Sequence, residues 1–395
     1  MTASTKPSVA GPANLIVGAL WILVLLGICI RIGLAPHSHD VFGTYLDAGR
    51  RWLAGQPLYT YSRGFVYSPL VAAFFSLFSL LSVSLGAAVW RLLNAALFVG
   101  AIFWWLHSGA GYRIPMQLHW VVFLLILPLS LGNFNNGQVN PMIIGLLMIA
   151  ILAAHDKHWM LSALAIGCVT CLKIYPLSVG LLLVLIYPRE LGWRVALVLI
   201  VMGGLTFLFQ HPPYVLEQYQ RWFRTRATDD RRMNMDIAPR DFAMILRVLH
   251  INLNAIVLTL LQLLAAAAAA AVCLYGRWQK WSSERLIVWV LSAGTCWMLL
   301  FGPSTEDATY VLIAPALACA LVEAFHRNVS ARMRILIGAS FAFLLAGLIL
   351  NAFFGLKKTP ALMSVQPLGA VLFAVYTAIW LFSSALWDKG PKLPD

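Results

Sequence analysis

Asn14-Leu-Ile-Val-Gly-Ala-Leu-Trp21-Ile-Leu-Val-Leu-Leu-Gly-Ile-Cys-Ile-Arg31-Ile-Gly-Leu-Ala35 is followed, after Pro36-His37-Ser38, by His39-Asp40-Val-Phe-Gly-Thr-Tyr45-Leu-Asp47. The first stretch matches the roughly 20 apolar residues that a helix needs to cross a bilayer core. Pro36-His37-Ser38 is not a small-residue cleavage site, so the stretch reads as a retained span rather than a signal peptide. The second stretch then sets a carboxylate at a membrane surface. The rest of the chain fits this start. Of 395 residues, 61% are hydrophobic and only 11% charged, with a mean hydropathy of +0.81, whereas about a quarter are charged in soluble domains. The fold class is an all-α polytopic membrane protein, one integral membrane domain over 1–395.

Further apolar runs cover 65–82, 85–107, 138–154, 159–172, 174–187, 192–210, 250–274, 285–301, 307–325, 334–352 and 367–386. Another piece, 117–131, reads as a half-helix, because a full crossing there would put the later basic loops on the side of Asp40, against the positive-inside tendency. A bundle of about twelve transmembrane helices follows. Both termini lie in the cytoplasm with the loops of Lys157, Arg189, Arg194, Arg277, Lys280, Arg285, Arg327, Arg332, Arg334, Lys389 and Lys392. Arg50, Arg51, Lys357, Lys358 and the arginines of 211–249 run against this pattern. The chain divides into a module 14–210 with an external loop 36–64, a long external loop 211–249, and C-terminal helices 250–386. The 28 Lys and Arg against 15 Asp and Glu are scattered in short loops, which is a topological signature and no nucleic-acid stripe. Cys29, Cys168, Cys171, Cys273, Cys296 and Cys319 all lie in apolar runs and behave as small hydrophobes, the Cys168/Cys171 pair included.

Three polar interruptions carry the chemistry. Asp40 opens a stretch in which Val41, Tyr45, Ala48 and Trp52 recur at helical spacing, an amphipathic helix lying along the interface with Trp52 and Tyr59 at headgroup level. Asp40 suits a helix N-cap and equally a general base meeting an acceptor hydroxyl at the membrane surface. Asp47 lies on nearly the same helix face and is the second choice of base. Gly137-Gln138-Val139-Asn140-Pro141 makes a turn with a helix start at Pro141, and Gln138 and Asn140 have the donors and acceptors to bind sugar hydroxyls or a phosphate. Lys173, with apolar residues far to either side, is costly at membrane depth and marks a functional site; snorkelling to the interface is the bland alternative. Its ammonium suits a phosphate, with Tyr175 as a second donor. Pro303-Ser304-Thr305-Glu306-Asp307 is an acidic turn, in which Ser304 or Asp307 suits a helix cap. Arg221, Arg224, Arg226, Arg231 and Arg232 beside Trp222 and Phe223 suit lipid headgroups and phosphates, or a solvated loop. His37-Ser38-His39-Asp40 and His155-Asp156-Lys157-His158 have metal-ligand types without a partner set, so no metal is expected.

The segments Asp40 to Ala48, Leu53-Ala-Gly-Gln-Pro-Leu-Tyr59, Tyr67-Ser-Pro69-Leu70, Gly137-Gln138-Val-Asn140 and Lys173-Ile-Tyr-Pro176, in this order, resemble glycosyltransferase family 87 of the GT-C superfamily. The resemblance implies a polyprenyl-phosphate sugar as donor, mannose ahead of other sugars, and an envelope glycolipid or glycan as acceptor. It implies no cofactor beyond that lipid-linked co-substrate, inverting and metal-independent transfer, and an active site on the external or periplasmic side of the inner (plasma) membrane. The family's acid in the first external loop carries over to Asp40 as base. Lys173 and, after it, an arginine of the long loop face the leaving phosphate, with Tyr45, Asp47, Glu306 and Arg221 as further substrate contacts. The chain departs from the resemblance at Pro303-Ser-Thr-Glu306-Asp-Ala-Thr309-Tyr310, where relatives often carry histidines, and in a long loop without their Asn-Gln-Ser pattern. A secondary transporter or lipid-linked-sugar flippase is the competing class, since broken helices and an intramembrane lysine also suit translocation, although no matching halves are visible.

Overall fold

The computed structural model describes residues 11–35, 40–60, 64–228, 238–303, 305–354 and 359–383. Among these, every regular element is helical. In chain order they are α1 (Pro12–Leu34), α2 (Phe42–Leu53), α3 (Pro69–Ser76), α4 (Val83–His107), α5 (His119–Asn136), α6 (Asn140–His155), α7 (Trp159–Leu172), α8 (Leu177–Ile186) and α9 (Pro188–Leu205). There follow α10 (Pro212–Ala227), α11 (Phe242–Val248), α12 (Ala255–Trp278), α13 (Ser283–Phe301), a 3₁₀ turn Asp307–Ile313 leading into α14 (Ala314–His326), α15 (Ala331–Phe354), α16 (Pro360–Met363) and α17 (Val365–Phe382). Nine of the described helices are long and apolar enough to cross a membrane, and Pro69–Leu80, α6, α7 and α8 are shorter apolar helices.

Contacts between helix ends fix the direction of each element. Arg31 near the end of α1 reaches Asn135 at the end of α5, and Lys173 at the end of α7 reaches Asn140 at the start of α6. Gln262 in the first third of α12 bonds Phe301 at the end of α13, whereas Arg277 near the end of α12 bonds Leu185 at the end of α8. The nine long helices together with α6, α7 and α8 thus make twelve alternating traverses. One face, here the upper, gathers the ends of α1, α5, α7 and α13 with the starts of α4, α6 and α14.

Nine of the described helices are long enough to cross where about twelve spans were expected, and the identity of the spans changes. The run 117–131 belongs to a continuous helix Met116–Asn136, long enough to cross, so its reading as a half-helix is corrected. The short piece is 65–82, taken above as a span. It forms Pro69–Leu80, about 20 Å long at the usual rises against a core of about 30 Å. It stays at the upper face because it packs along α2: a Cβ on Gly49 would lie 2.5 Å from the Phe75 backbone. The 211–249 segment is likewise not a plain loop, since α10 docks through Gln218 on the Leu58 amide and Trp222 on the Val66 carbonyl. The C-terminal helices join the same core, α13 packing on α6, α8 and α17.

Helix length positions the site. α6, α7 and α8 have 16, 14 and 10 residues, which at about 1.5 Å per residue all fall short of a core of about 30 Å. At least one end of each therefore lies within the depth of that core. Such broken ends are tolerated where they line a protein-walled cavity.

Candidate active site

The candidate site is built on the turn between α5 and α6. Gly137 ends α5 with φ of 67°, a left-handed conformation that glycine adopts without a Cβ penalty. It also leaves no room for one: an added Cβ would lie 2.9 Å from Asp40 Oδ1 and 3.1 Å from Arg91 Nη2. The turn is held by donors from α4. Trp90 Nε1 donates to the Gly137 carbonyl at 2.8 Å and Asn94 Nδ2 to the Gln138 carbonyl at 2.6 Å. The Val41 amide donates to the Asn136 carbonyl at 3.1 Å, which brings the first external loop onto the turn.

Asp40 is thereby set against Arg91, with Nη2 to Oδ1 at 3.0 Å and side-chain exposures of 1% for the arginine and 5% for the acid. Oδ1 also accepts from the Phe42 amide at 2.8 Å. Asp40 thus holds the first amide of α2 through one oxygen, but the N-cap position is Val41, without a side-chain cap, so the expected N-cap role of Asp40 is corrected to that of the residue before the cap. Both interactions use Oδ1, and Oδ2 has no hydrogen-bond partner among the described residues. Arg91 was not read from the sequence. It stands inside an apolar run as Lys173 does, and the same cost of a charge at membrane depth would have marked it.

At the other end of the turn Lys173, the extended residue after α7, donates from Nζ to Asn140 Oδ1 at 2.9 Å. Asn140 donates to Asn133 Oδ1 at 3.2 Å, and Asn133 to the Ala308 carbonyl at 2.9 Å. Lys173 lies 5.7 Å from the Tyr175 ring centre, and the Tyr175 hydroxyl is buried without a partner among the described residues. The Gln138 side chain is half-buried and makes no hydrogen bond to the described residues. The Ser68 amide bonds the Cys171 carbonyl at 3.3 Å, so the stretch before α3 packs against the end of α7. There Tyr67 and Tyr45 share a hydroxyl–hydroxyl contact of 3.0 Å. Burial pushes the Tyr67 phenol up, the nearby Lys173 ammonium opposes this, and Glu306 adds to it. Burial likewise raises the Tyr45 phenol, with Tyr67, Asp40 and Glu306 adding. Glu306 therefore lies within electrostatic reach of Tyr45 and Tyr67. Its amide donates to Thr309 Oγ1 at 3.0 Å at the start of the 3₁₀ turn.

Asp40, Tyr45, Gln138, Asn140, Lys173, Tyr175 and Glu306 are thus brought together, and other candidates are not. Asp47 is exposed and paired with Arg51 at 2.6 Å. Arg221 is paired with Glu217 at 2.7 Å on the outer side of α10. Further along α10, Arg226 comes within electrostatic reach of the Tyr59 phenol, whose hydroxyl donates to the Tyr67 carbonyl at 2.7 Å. Trp52 and Tyr59 are buried in protein rather than set at a headgroup layer. The expected helix cap at Asp307 is instead Glu306, while Asp307 accepts from Asn351. His155 bonds Ser283 at 2.8 Å on the lower face. Ser304, Arg231, Arg232, Lys357, Lys358, Lys389, Lys392 and His37-Ser38-His39 lie outside the described residues.

No curated protein matches the chain. A family model, glycosyltransferase family 87, matches residues 65–303. The match takes in Arg91, Gln138, Asn140, Lys173 and Tyr175, and leaves Asp40 and Glu306 outside its bounds. It covers more than half of a chain whose helices suit a membrane: the protein belongs to glycosyltransferase family 87 and is a multi-pass membrane glycosyltransferase.

Proposed function

We propose that the protein transfers a sugar, mannose first among the candidates, from a polyprenyl-phosphate donor to a hydroxyl of an envelope glycolipid or glycan, with inversion and without a metal. The observation that carries this reading is the span between the two charged groups. One end of the Gly137–Asn140 turn touches Asp40 and the other touches Lys173. A base for the acceptor and a cation for a leaving phosphate thus flank one turn, and the recess between them is where we place the substrates.

Asp40 Oδ2 takes the proton of the acceptor hydroxyl as its oxygen attacks the anomeric carbon. The bond from that carbon to the phosphate oxygen breaks, and its electron pair leaves with the lipid phosphate. A phosphate leaving group needs positive charge rather than an acid. Lys173 supplies it, and the unpartnered Tyr175 hydroxyl adds a donor. Gln138 and Glu306 face the sugar and acceptor hydroxyls. The lower face is the cytoplasmic one in this reading, because Arg113, Lys157, Arg189, Lys280 and Arg327 each sit in or beside one of its short connections. On the upper face Arg51, Arg91 and Arg221 are paired with acids. This orientation supports the reading of an external active site in an inner-membrane protein.

The test is transfer by the purified protein in liposomes, with radiolabelled polyprenyl-phosphate-mannose and a membrane lipid extract. Labelled lipid with inverted anomeric configuration is expected. Retained configuration, or use of a nucleotide sugar alone, contradicts the reading.

A further inference from the structure

Arg91 lies in the first half of α4 with 1% of its side chain exposed, a placement that is costly unless its donors are matched. The partners are fixed parts of the protein. Nε donates to the Phe134 carbonyl at 2.8 Å, Nη1 to the Ala87 carbonyl at 3.1 Å, and Nη2 to the Asn135 carbonyl at 3.0 Å as well as to Asp40 Oδ1. Phe134 and Asn135 form the last turn of α5, where unpaired carbonyls and the helix dipole favour a cation. The guanidinium is therefore committed before any substrate arrives. It is a fixed counter-charge rather than a group waiting for a phosphate.

Its effect falls on one oxygen of Asp40. Arg91 and the Phe42 amide both take Oδ1, which restrains the carboxylate and leaves Oδ2 without a hydrogen-bond partner among the described residues. Gly137 makes the approach possible, because any side chain there would collide with both partners. We propose that Arg91 is a positioning residue for Asp40, orienting the carboxylate and holding it at the height of the α5–α6 turn, with Gly137 as the gap through which the two meet. The proposal rests on the reading of Asp40 as the base.

Arg91→Gln, Arg91→Lys and Asp40→Asn are compared in liposomes with radiolabelled polyprenyl-phosphate-mannose over a range of donor concentrations. Thermal unfolding in detergent is followed in parallel. Arg91→Gln lowers kcat about 100-fold, as a misplaced catalytic group does, while donor KM stays within about threefold. Arg91→Lys, which keeps the charge and loses the fork, regains about tenfold of that loss. Unchanged kcat in Arg91→Gln, a loss carried by donor KM alone, or equal unfolding of both Arg91 variants overturns the proposal. Asp40→Asn separates the two claims. If it stays active, the base assignment fails. If it is inactive while Arg91→Gln is normal, the positioning role alone fails.

Discussion

The turns at the two ends of α6 have the same backbone and opposite surroundings. At the upper end the amides of Gly137 and Gln138 return to the carbonyls of Phe134 and Asn133; at the lower end those of Lys157 and His158 return to Ala154 and Ala153. Each is a helix stop with one left-handed residue, φ 67° at Gly137 and 63° at Lys157. The lower turn is exposed, so a lysine carries the strained conformation with open space around it. The upper turn is buried under Trp90, Arg91, Asn94 and Asp40, and only glycine leaves them room. A left-handed residue by itself therefore says little about function. The buried donors converging on it are what separate a site from a stop.

Predictions follow by pressing on this contrast. Lys173→Ala, which leaves a leaving phosphate without its cation, lowers kcat/KM by about 10²–10³-fold; steady-state kinetics over donor concentration measures it. Gly137→Ala lowers transfer about 100-fold by displacing the Asp40–Arg91 pair, with a lower thermal midpoint, read by activity and unfolding together. Tyr175→Phe removes one donor and lowers kcat/KM by about tenfold. Lys157→Gly, the matched change at the lower turn, leaves transfer within about twofold of the wild type. A large loss there would erase the distinction between the two turns. Arg221→Ala changes least, since an exposed pair contributes little, and a strong effect on donor KM would return α10 to the donor site.

Much of the scaffold was legible in the sequence. Val41, Tyr45, Ala48 and Trp52 showed a helical face after Asp40, and α2 buries Tyr45, Ala48 and Trp52. The short runs on either side of Lys173 pointed to short helices, and α7 and α8 have 14 and 10 residues. The identity of the non-crossing piece was hidden, because 65–82 and 117–131 are similarly apolar and only the seating of Phe75 on Gly49 distinguishes them. The separation of Arg221 from Arg226 was hidden too, since it depends on the phase of α10, a helix in a stretch read as loop. Arg91 was open to view: a lone charge in an apolar run carries the same energetic argument wherever it stands. The acid of Glu306 was visible, but its approach to Tyr45 and Tyr67 arises from the long-range meeting of α2, α3 and the 3₁₀ turn.

The central claim is that Asp40 takes the acceptor's proton in a recess whose phosphate end is held separately by Lys173. It is tested most directly by Asp40→Asn, an isosteric change, assayed for sugar transfer and for polyprenyl-phosphate binding in the same liposomes. The account predicts transfer reduced by about 10³-fold or more with lipid-phosphate binding unchanged. Transfer at the wild-type rate, or loss of transfer and binding together, would contradict it.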